Sequence, residues 1–471
     1  KITNITTSGL GSQVAISDDG LTVTYTPSEN VYGQDTLEYT VTSEDATGKD
    51  HEWASGDIYN GDDSRALHSI DLDSDGDLDL ITGSYSNDRL AVRMNDGEGH
   101  FSSPTYYDSL KTTANGLAAA DFDGDGVDDF IVVGERQSGK ISLHINNGDG
   151  TLVAKQEYQF SPTGGWPHSI VAADLTKDGI PNVAIIDNYR DQIYVLEYDR
   201  DTGEFSILHQ RTISDAPSQL ALGDVDADGD LDLAVGYWGS GADKIDFLIY
   251  DNDGSFLLEG GIDNLESVNA MTFGDIDLDG DDDLIVNVVL EQQKTLIYKF
   301  DHASQDYALA QEFNLATNTN HNDLTLSDYD QDGYLDLFVL QGESSQINVY
   351  HNVYGEFAHH TDLLAGTLPV NMALVDIDGD RHPDPVIIHK QTDAHHSASD
   401  DIHVILNKWE NANSSKTQTF DVIVHPVNDI PTLDAIDNLT IDEDSPEQTV
   451  NLAGITAGGG ETQPLRVTAS S

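Results

Sequence analysis

Asp71-Leu72-Asp73-Ser74-Asp75-Gly76-Asp77-Leu78-Asp79, followed at once by Leu80-Ile81, is the stretch that decides the fold of this chain. Side-chain oxygens fall at positions 1, 3, 5 and 9 of the nine, and the glycine at position 6 permits a tight backbone reversal. An EF-hand loop would carry a glutamate at position 12 and helical periodicity on both sides. Here position 12 is Thr82 and the flanks read as strand, so the nine residues are the turn of a β-hairpin.

The loop recurs, with first positions at Asp71, Asp121, Asp174, Asp224, Asp275, Asp328 and Asp376, at intervals of 48 to 53 residues. Each copy lies between apolar stretches such as Leu220-Ala221-Leu222 and Leu233-Ala234-Val235. Two more strands follow in each unit, at Arg89 to Met94 and Phe101 to Tyr107 in the first and at Ile347 to His351 and Phe357 to His360 in the sixth. Four strands in each unit make a propeller blade, and seven units predict a seven-bladed all-β propeller. The last unit runs through Ile402 to Leu406 and lacks a fourth strand, while residues 51 to 59 look like an orphan one. The ring is therefore expected to close by lending that strand to blade 7, with chain entry near Asp50 beside the exit near Trp409.

Residues 20–42 alternate like strands and Thr417 to Val424 supplies a further one. The expected organisation is a sandwich split into 1–49 and 412–430, with the propeller at 50–411 set into it, and the start of a similar domain at 431–471. With no apolar run of 18 residues and no leader-like start, the chain is expected to be part of something longer.

Composition narrows the function. Against 85 acidic residues stand 21 lysines and arginines, a formal charge of −64, which repels nucleic acid and anionic membrane surfaces. There is no cysteine, which removes disulfides and thiol chemistry and leaves the compartment open. Because the carboxylates are clustered, metal ions are the expected counter-charge.

Hard Ca²⁺ takes six to eight oxygens, and odd-position carboxylates in a tight loop converge on one point. The candidate ligands are Asp71, Asp73, Asp75 and Asp79; Asp121, Asp123, Asp125 and Asp129; Asp174, Thr176, Asp178 and Asn182; Asp224, Asp226, Asp228 and Asp232; Asp275, Asp277, Asp279 and Asp283; Asp328, Asp330, Asp332 and Asp336; and Asp376, Asp378, Asp380 and Asp384. About six to seven Ca²⁺ ions are expected, with loop 3 weakest through Thr176 and Asn182, and loop 7 altered by Arg381 at the glycine position. A single Asp-Gly turn is often only a solvated turn. Seven in register are not explained that way.

These residues resemble FG-GAP/VCBS repeats, the blades of integrin α-subunit propellers and of many secreted bacterial proteins, over residues 50–411. The flanks are similar to the cadherin-like, Ig-fold repeats of large bacterial surface adhesins of the RTX type, through Tyr25-Thr26-Pro27, Asp35 to Val41 and Val427-Asn428-Asp429-Ile430-Pro431. That resemblance implies further junction ligands at Asn428, Asp429, Asp442, Glu443 and Asp444, against the plain alternative of an acidic linker. It also implies that ligands dock on the rim opposite the Asp loops.

Counting back five or six residues from each first Asp gives Arg65, Asn115, His168, Ser218, Asn269, Asn322 and Asn371 on that opposite rim. Trp166, Tyr189 and the pair Tyr237 and Trp238 lie nearby, and aromatic faces with polar groups suit a sugar or an extended peptide. Capping of turns and filling of gaps between blades is the competing account of these residues. His389, His395, His396 and His403 lie in or beside one long loop without fixed ligand spacing, so a solvated loop is the expected reading ahead of a transition-metal site.

The expected function is a non-enzymatic, calcium-dependent, extracellular ligand-binding module of a bacterial surface protein, taking a glycan or a peptide, and a monomeric segment with no nucleic-acid partner and no membrane insertion. Two other readings stand beside it: a lyase-like polysaccharide-processing enzyme, for which only an Arg65 and His168 pair offers acid-base groups, and a spacer in a stalk. No HExxH, Gly-x-Ser-x-Gly or phosphate loop is present.

Overall fold

The computed structural model describes residues 2–7, 13–16, 23–26, 33–43, 52–60, 401–408, 414–424 and 64–389, the last apart from 85–87, 110–115, 134–138, 163–164, 215, 240–243, 252–254, 266, 290–292, 316–321 and 343. Every regular element among them is a strand. Seven four-stranded antiparallel sheets follow one another in the chain. Blade 1 comprises Ser64–Ile70, Asp79–Ser84, Arg89–Arg93 and Thr105–Asp108, and blade 4 comprises Pro217–Gly223, Asp232–Tyr237, Lys244–Asp251 and Ser255–Asp263. Phe101, expected inside the fourth strand of blade 1, instead makes an isolated bridge with Asn95 ahead of it.

The seventh sheet orders Pro369–Val375, Asp384–His389, Asp401–Lys408 and then Glu52–Asn60. Lys408 pairs with Glu52 and Asp401 with Asn60, so a strand from before the first blade completes the last. The innermost strands touch their neighbours all round, including Pro369–Val375 against Ser64–Ile70, and the ring is closed with seven blades.

Second strands are buried along their whole length, as in Asp79–Ser84, Asn182–Asp187, Asp232–Tyr237 and Asp384–His389. A blade sheet has another blade on each side, so both faces of its second strand leave water; each buried Leu, Ile or Val contributes about 1.5–3 kcal/mol. The apolar clusters accordingly lie between blades. Leu80 and Phe101 of blade 1 pack with Val375, Val386, Ile388, Ile402 and Val404 of blade 7. Fourth strands form the outer edge and alternate, as in Glu356–Leu364, where Phe357 and Leu363 are buried.

Chain contacts divide the molecule into two units, residues 52–408 and residues 1–51 with 409–471. In the second unit Ile2–Thr7, Gly33–Ser43 and Ser414–Val424 form one antiparallel sheet, in which Ser43 pairs with Ser414 and Gly33 with Val424. Gln13–Ile16 and Val23–Thr26 form a separate hairpin. Asn428, Asp429, Asp442, Glu443, Asp444 and the segment 431–471 lie outside the described residues, as do Asn115, His395 and His396.

Candidate metal centres on one rim of the propeller

Each Asp loop joins the first and second strands of a blade and has the same internal frame. In loop 1 the position 1 carboxylate accepts the N–H groups of Asp75 (3.2 Å) and Gly76 (3.0 Å), and Asp75 accepts from Asp77 (3.0 Å). Position 9 does more than the sequence suggested. Asp79 Oδ2 accepts from Leu72 (2.8 Å) while its Oδ1 accepts from Asn95 (2.7 Å), at the end of the third strand. Asp129, Asp232, Asp283, Asp336 and Asp384 repeat this double brace, reaching the N–H groups of Asn146, Tyr250, Phe300, Asn352 and Asn407. Loop 3 keeps the frame with other atoms: Asn182 Oδ1 accepts from Leu175 (3.0 Å) and Thr176.

The frame needs left-handed backbone at positions 4 and 6. Position 6 is glycine in six loops, with φ 98° at Gly76. In loop 7 Arg381 adopts it at φ 73°, and its N–H still reaches Asp376 at 2.9 Å.

Position 3 carries least of the frame. In four loops a position 3 oxygen, Oδ1 of Asp73, Asp226, Asp277 or Asp378, is buried with no hydrogen-bond partner, as is Asp376 Oδ1. A buried carboxylate oxygen without a donor is costly, and a cation resolves that cost. Oxygens of Asp71, Asp73 and Asp79, of Asp121, Asp123 and Asp129, of Asp224, Asp226 and Asp232, and of Asp275, Asp277 and Asp279 each gather within 4.8 Å of one another. An all-oxygen, carboxylate-rich donor set fits a hard divalent cation such as Ca²⁺.

Without a cation the position 9 carboxyls resist ionisation. Burial, opposed by the two N–H donors and reinforced by neighbouring carboxylates, pushes Asp79 up to about 6, Asp129, Asp232 and Asp283 to about 7, and Asp336 and Asp384 to about 8.

The loops are unequal in a way the nine-residue motif does not reveal. Lys299 Nζ lies 3.0 Å from Asp277 Oδ2, and Lys408 pairs with Asp378, so loops 5 and 7 carry their own ammonium. In loop 6 His351 Nδ1 stands 3.3 Å from Asp330 Oδ2 and 3.2 Å from Asp336 Oδ1. Lys177 of loop 3 pairs with Asp230 of loop 4.

Five of the loops are also held from the next blade through the position 2 carbonyl. Leu72 accepts from the Gly150 N–H (3.0 Å), Phe122 from Arg200 Nε (2.9 Å), Ile276 from Asn352 Nδ2 (2.7 Å), Tyr329 from Asn407 Nδ2 (3.0 Å) and Ile377 from Asn95 Nδ2 (2.9 Å).

On the opposite rim the expected ligand residues separate. His168, Tyr189 and Trp238 are exposed, with Tyr189 at 70%, while Trp166 and Asn371 are half-buried and Arg65 lies in the first strand of blade 1. Three expectations are corrected. Tyr237 is fully buried and donates to Asp246 Oδ2 at 2.5 Å, so it stacks on nothing outside; Ser218 is buried and donates to the Gly236 and Val268 carbonyls; Asn269 is buried too. Asn322 begins its strand, and its side chain lies outside the described residues. His389 is buried, 2.6 Å from the Ala365 carbonyl, with the His403 ring centroid 6.3 Å away.

The family profile of the FG-GAP-like repeat matches residues 71–132, 121–185, 175–235 and 302–387, and that of a bacterial Ig domain matches residues 1–52. No relative was found among curated proteins. Among solved structures, a Lactobacillus plantarum protein is 17% identical with a TM-score of 0.51, over 72% of this chain and 96% of that one. A “putative 6-phosphogluconolactonase” from Bacteroides uniformis is 16% identical with a TM-score of 0.52, over 71% and 94% of the two chains, and one from Bacteroides fragilis is 14% identical with a TM-score of 0.52, over 71% and 92%. At such identities the likeness is one of fold.

Proposed function

This chain belongs to the FG-GAP-like repeat proteins, and from that premise we propose that its propeller is a calcium-dependent, extracellular ligand-binding module of adhesion type. The observation that carries the calcium part is the orphaned position 3 oxygen, repeated in loops 1, 4, 5 and 7, inside a frame whose position 1 and position 9 carboxylates accept backbone N–H groups. Display supports the adhesion part. Gly33–Ser43 pairs with Ser414–Val424 in the unit that includes the Ig-like segment, and the propeller chain runs between them, so we read the propeller as an insert in that domain. A large bacterial surface adhesin of the RTX type is the context we propose for both, as a monomeric segment.

The exposed His168, Tyr189 and Trp238, on the rim away from the Asp loops, are the surface proposed for a glycan or peptide. The test is an array of glycans and peptides probed with calcium and with excess EGTA, with melting temperature followed in parallel. A calcium-dependent hit lost in Tyr189→Ala/Trp238→Ala supports the module. Strong calcium stabilisation with no hit favours a spacer, and cleavage of an acidic polysaccharide replaces adhesion by enzymology.

A further inference from the structure

We propose that the cavity between blades 4 and 5, beside the fourth Asp loop and apart from the opposite-rim surface, is a second site of the module and binds an organic cation, namely a lysine or arginine side chain of a peptide; this rests on the reading of the propeller as a ligand-binding module. The cavity has a volume of about 350 Å³, at the small end of sites for small ligands, which suits one side chain. Its wall is aromatic: Tyr307 lies between Phe247 and Phe300, with ring centroids 5.3 Å from each. Its charges are Asp226, Glu259 and Asp306, and none of the described residues lining it is basic.

The shape has a local cause. In blades 2, 3, 5 and 6 the fourth strand skips one residue against the third, at Lys155, Leu208, Ala310 and His360. Blade 4 has the same one-residue offset, since Asp246 pairs with Gly261 and Leu248 with Leu258, and there Phe247 of the third strand faces Glu259 and Gly260 with no registered pair. Gly261 sits at φ 145°, where a Cβ would meet the Ile245 carbonyl oxygen at 2.2 Å, so the bulge requires glycine. Glycines at 260 and 261 leave two successive positions of the outer strand without a side chain beside the aromatic wall, and Glu259 and Asp306 line the same cavity.

Chemistry selects the occupant. Anions are repelled by Glu259 and Asp306, and by Asp226 as well when its loop holds no cation. A hydrated metal ion gains nothing from three rings. A lysine or arginine side chain lays its apolar stem on Phe247 and Phe300 and its charge between Glu259 and Asp306, with ring faces adding cation attraction. Tyr307 also ties the cavity to the metal loops, since its hydroxyl donates to the Asp282 carbonyl at 3.1 Å and the Asp224 N–H donates to Asp282 Oδ2 at 3.0 Å.

The test titrates the full chain, in calcium and in EGTA, with Nα-acetyl-lysine amide, Nα-acetyl-arginine amide, uncharged Nα-acetyl-norleucine amide and methyl glucoside, read by saturation-transfer NMR and calorimetry. One of the two cationic amides is expected to bind at least about tenfold more tightly than norleucine amide, and Glu259→Gln/Asp306→Asn to weaken it about tenfold. Both replaced residues are exposed, and the amide oxygen that Asp306→Asn leaves in place still accepts the Tyr307 N–H, so the fold is kept. Equal binding of norleucine amide, tighter binding of methyl glucoside, or an unaffected double variant overturns the proposal. The melting temperatures of the same samples judge the calcium reading separately: a calcium-induced rise with no cation preference sinks the cavity alone, and no rise sinks calcium while the amide titrations still decide the cavity.

Discussion

Replacing Asp73 by asparagine should stabilise the chain without calcium and destabilise it with calcium. Asp73 Oδ1 is buried with no donor, and its carboxyl is pushed upward by burial and by Asp75 and Asp71. In EGTA the amide removes a like charge from the cluster, a gain of about 0.5 kcal/mol. In calcium it removes one charged ligand. At a calcium level 100 times the dissociation constant a site contributes about 2.7 kcal/mol, and a 10- to 100-fold loss of affinity lowers this by about 1.3–2.3 kcal/mol. Asp79→Asn is the contrasting variant. Both oxygens of Asp79 hold backbone N–H groups, those of Leu72 and Asn95, and an amide offers one oxygen, so about 1–3 kcal/mol is lost in both conditions. Calorimetric melts of the three proteins in excess calcium and in EGTA measure all four differences. If Asp73→Asn lowers stability equally in both, its carboxylate is a structural acceptor and the metal assignment of position 3 fails.

Three further outcomes follow from the same loops. Arg381→Gly should raise stability by about 1 kcal/mol, because an arginine at φ 73° pays the left-handed penalty that glycine escapes; an unchanged melt shows the strain to be compensated elsewhere. In EGTA the chain should melt lower at about pH 8 than at about pH 5. The folded position 9 carboxyls, near 6 to 8, lie above their unfolded value, so the stability from their protonation is full below about pH 4 and lost as pH rises through 6 to 8. EGTA melts that rise with pH contradict this. Lys299→Met and Lys408→Met should each tighten calcium about fivefold at loops 5 and 7, by removing the ammonium from Asp277 and Asp378, which terbium luminescence titration would reveal as a shifted midpoint.

Much of this architecture was legible because it repeats. Seven Asp loops in register marked out the hairpins and blades, and the missing fourth strand after Leu406 matched the orphan at residues 51–59, which the structure pairs with Asp401–Lys408. Tyr237 shows where pattern fails. Second strands are buried on both faces, so alternation does not distinguish Tyr237, at 0% exposure, from Trp238 just beyond the strand, at 39%. The basic partners of loops 5 to 7 were missed because they come from the third strand, with Lys299 and His351 sixteen and fifteen positions after their position 9 Asp. The clasps did leave a signal in Asn95-Asp96-Gly97 and Asn146-Asn147-Gly148, an asparagine ending the third strand before a glycine turn. Asn95 and Asn352 donate across to the preceding blade, whereas Asn146 does not, and its place is taken by the Gly150 N–H.

Taken together, brace and clasp make these loops joints between blades. In loops 1, 2, 5, 6 and 7 the residue at position 2 gives its N–H to the position 9 carboxylate of its own loop and its carbonyl to the next blade. A cation that draws the position 9 carboxylate into its ionised form strengthens the hydrogen bond from that N–H, since charged acceptors bind about twice as strongly as neutral ones. It thereby orders the residue whose carbonyl carries the clasp. These contacts run across the point where the ring closes, because blade 7 is joined to blade 1 through Ile377 and Asn95 as well as through its apolar seam. Calcium, if bound at one such loop, would therefore be coupled to the integrity of the ring as a whole. Part of the −64 charge is then not a burden on the surface, because the acidic residues of these loops stand where neutralisation would fasten one blade to another.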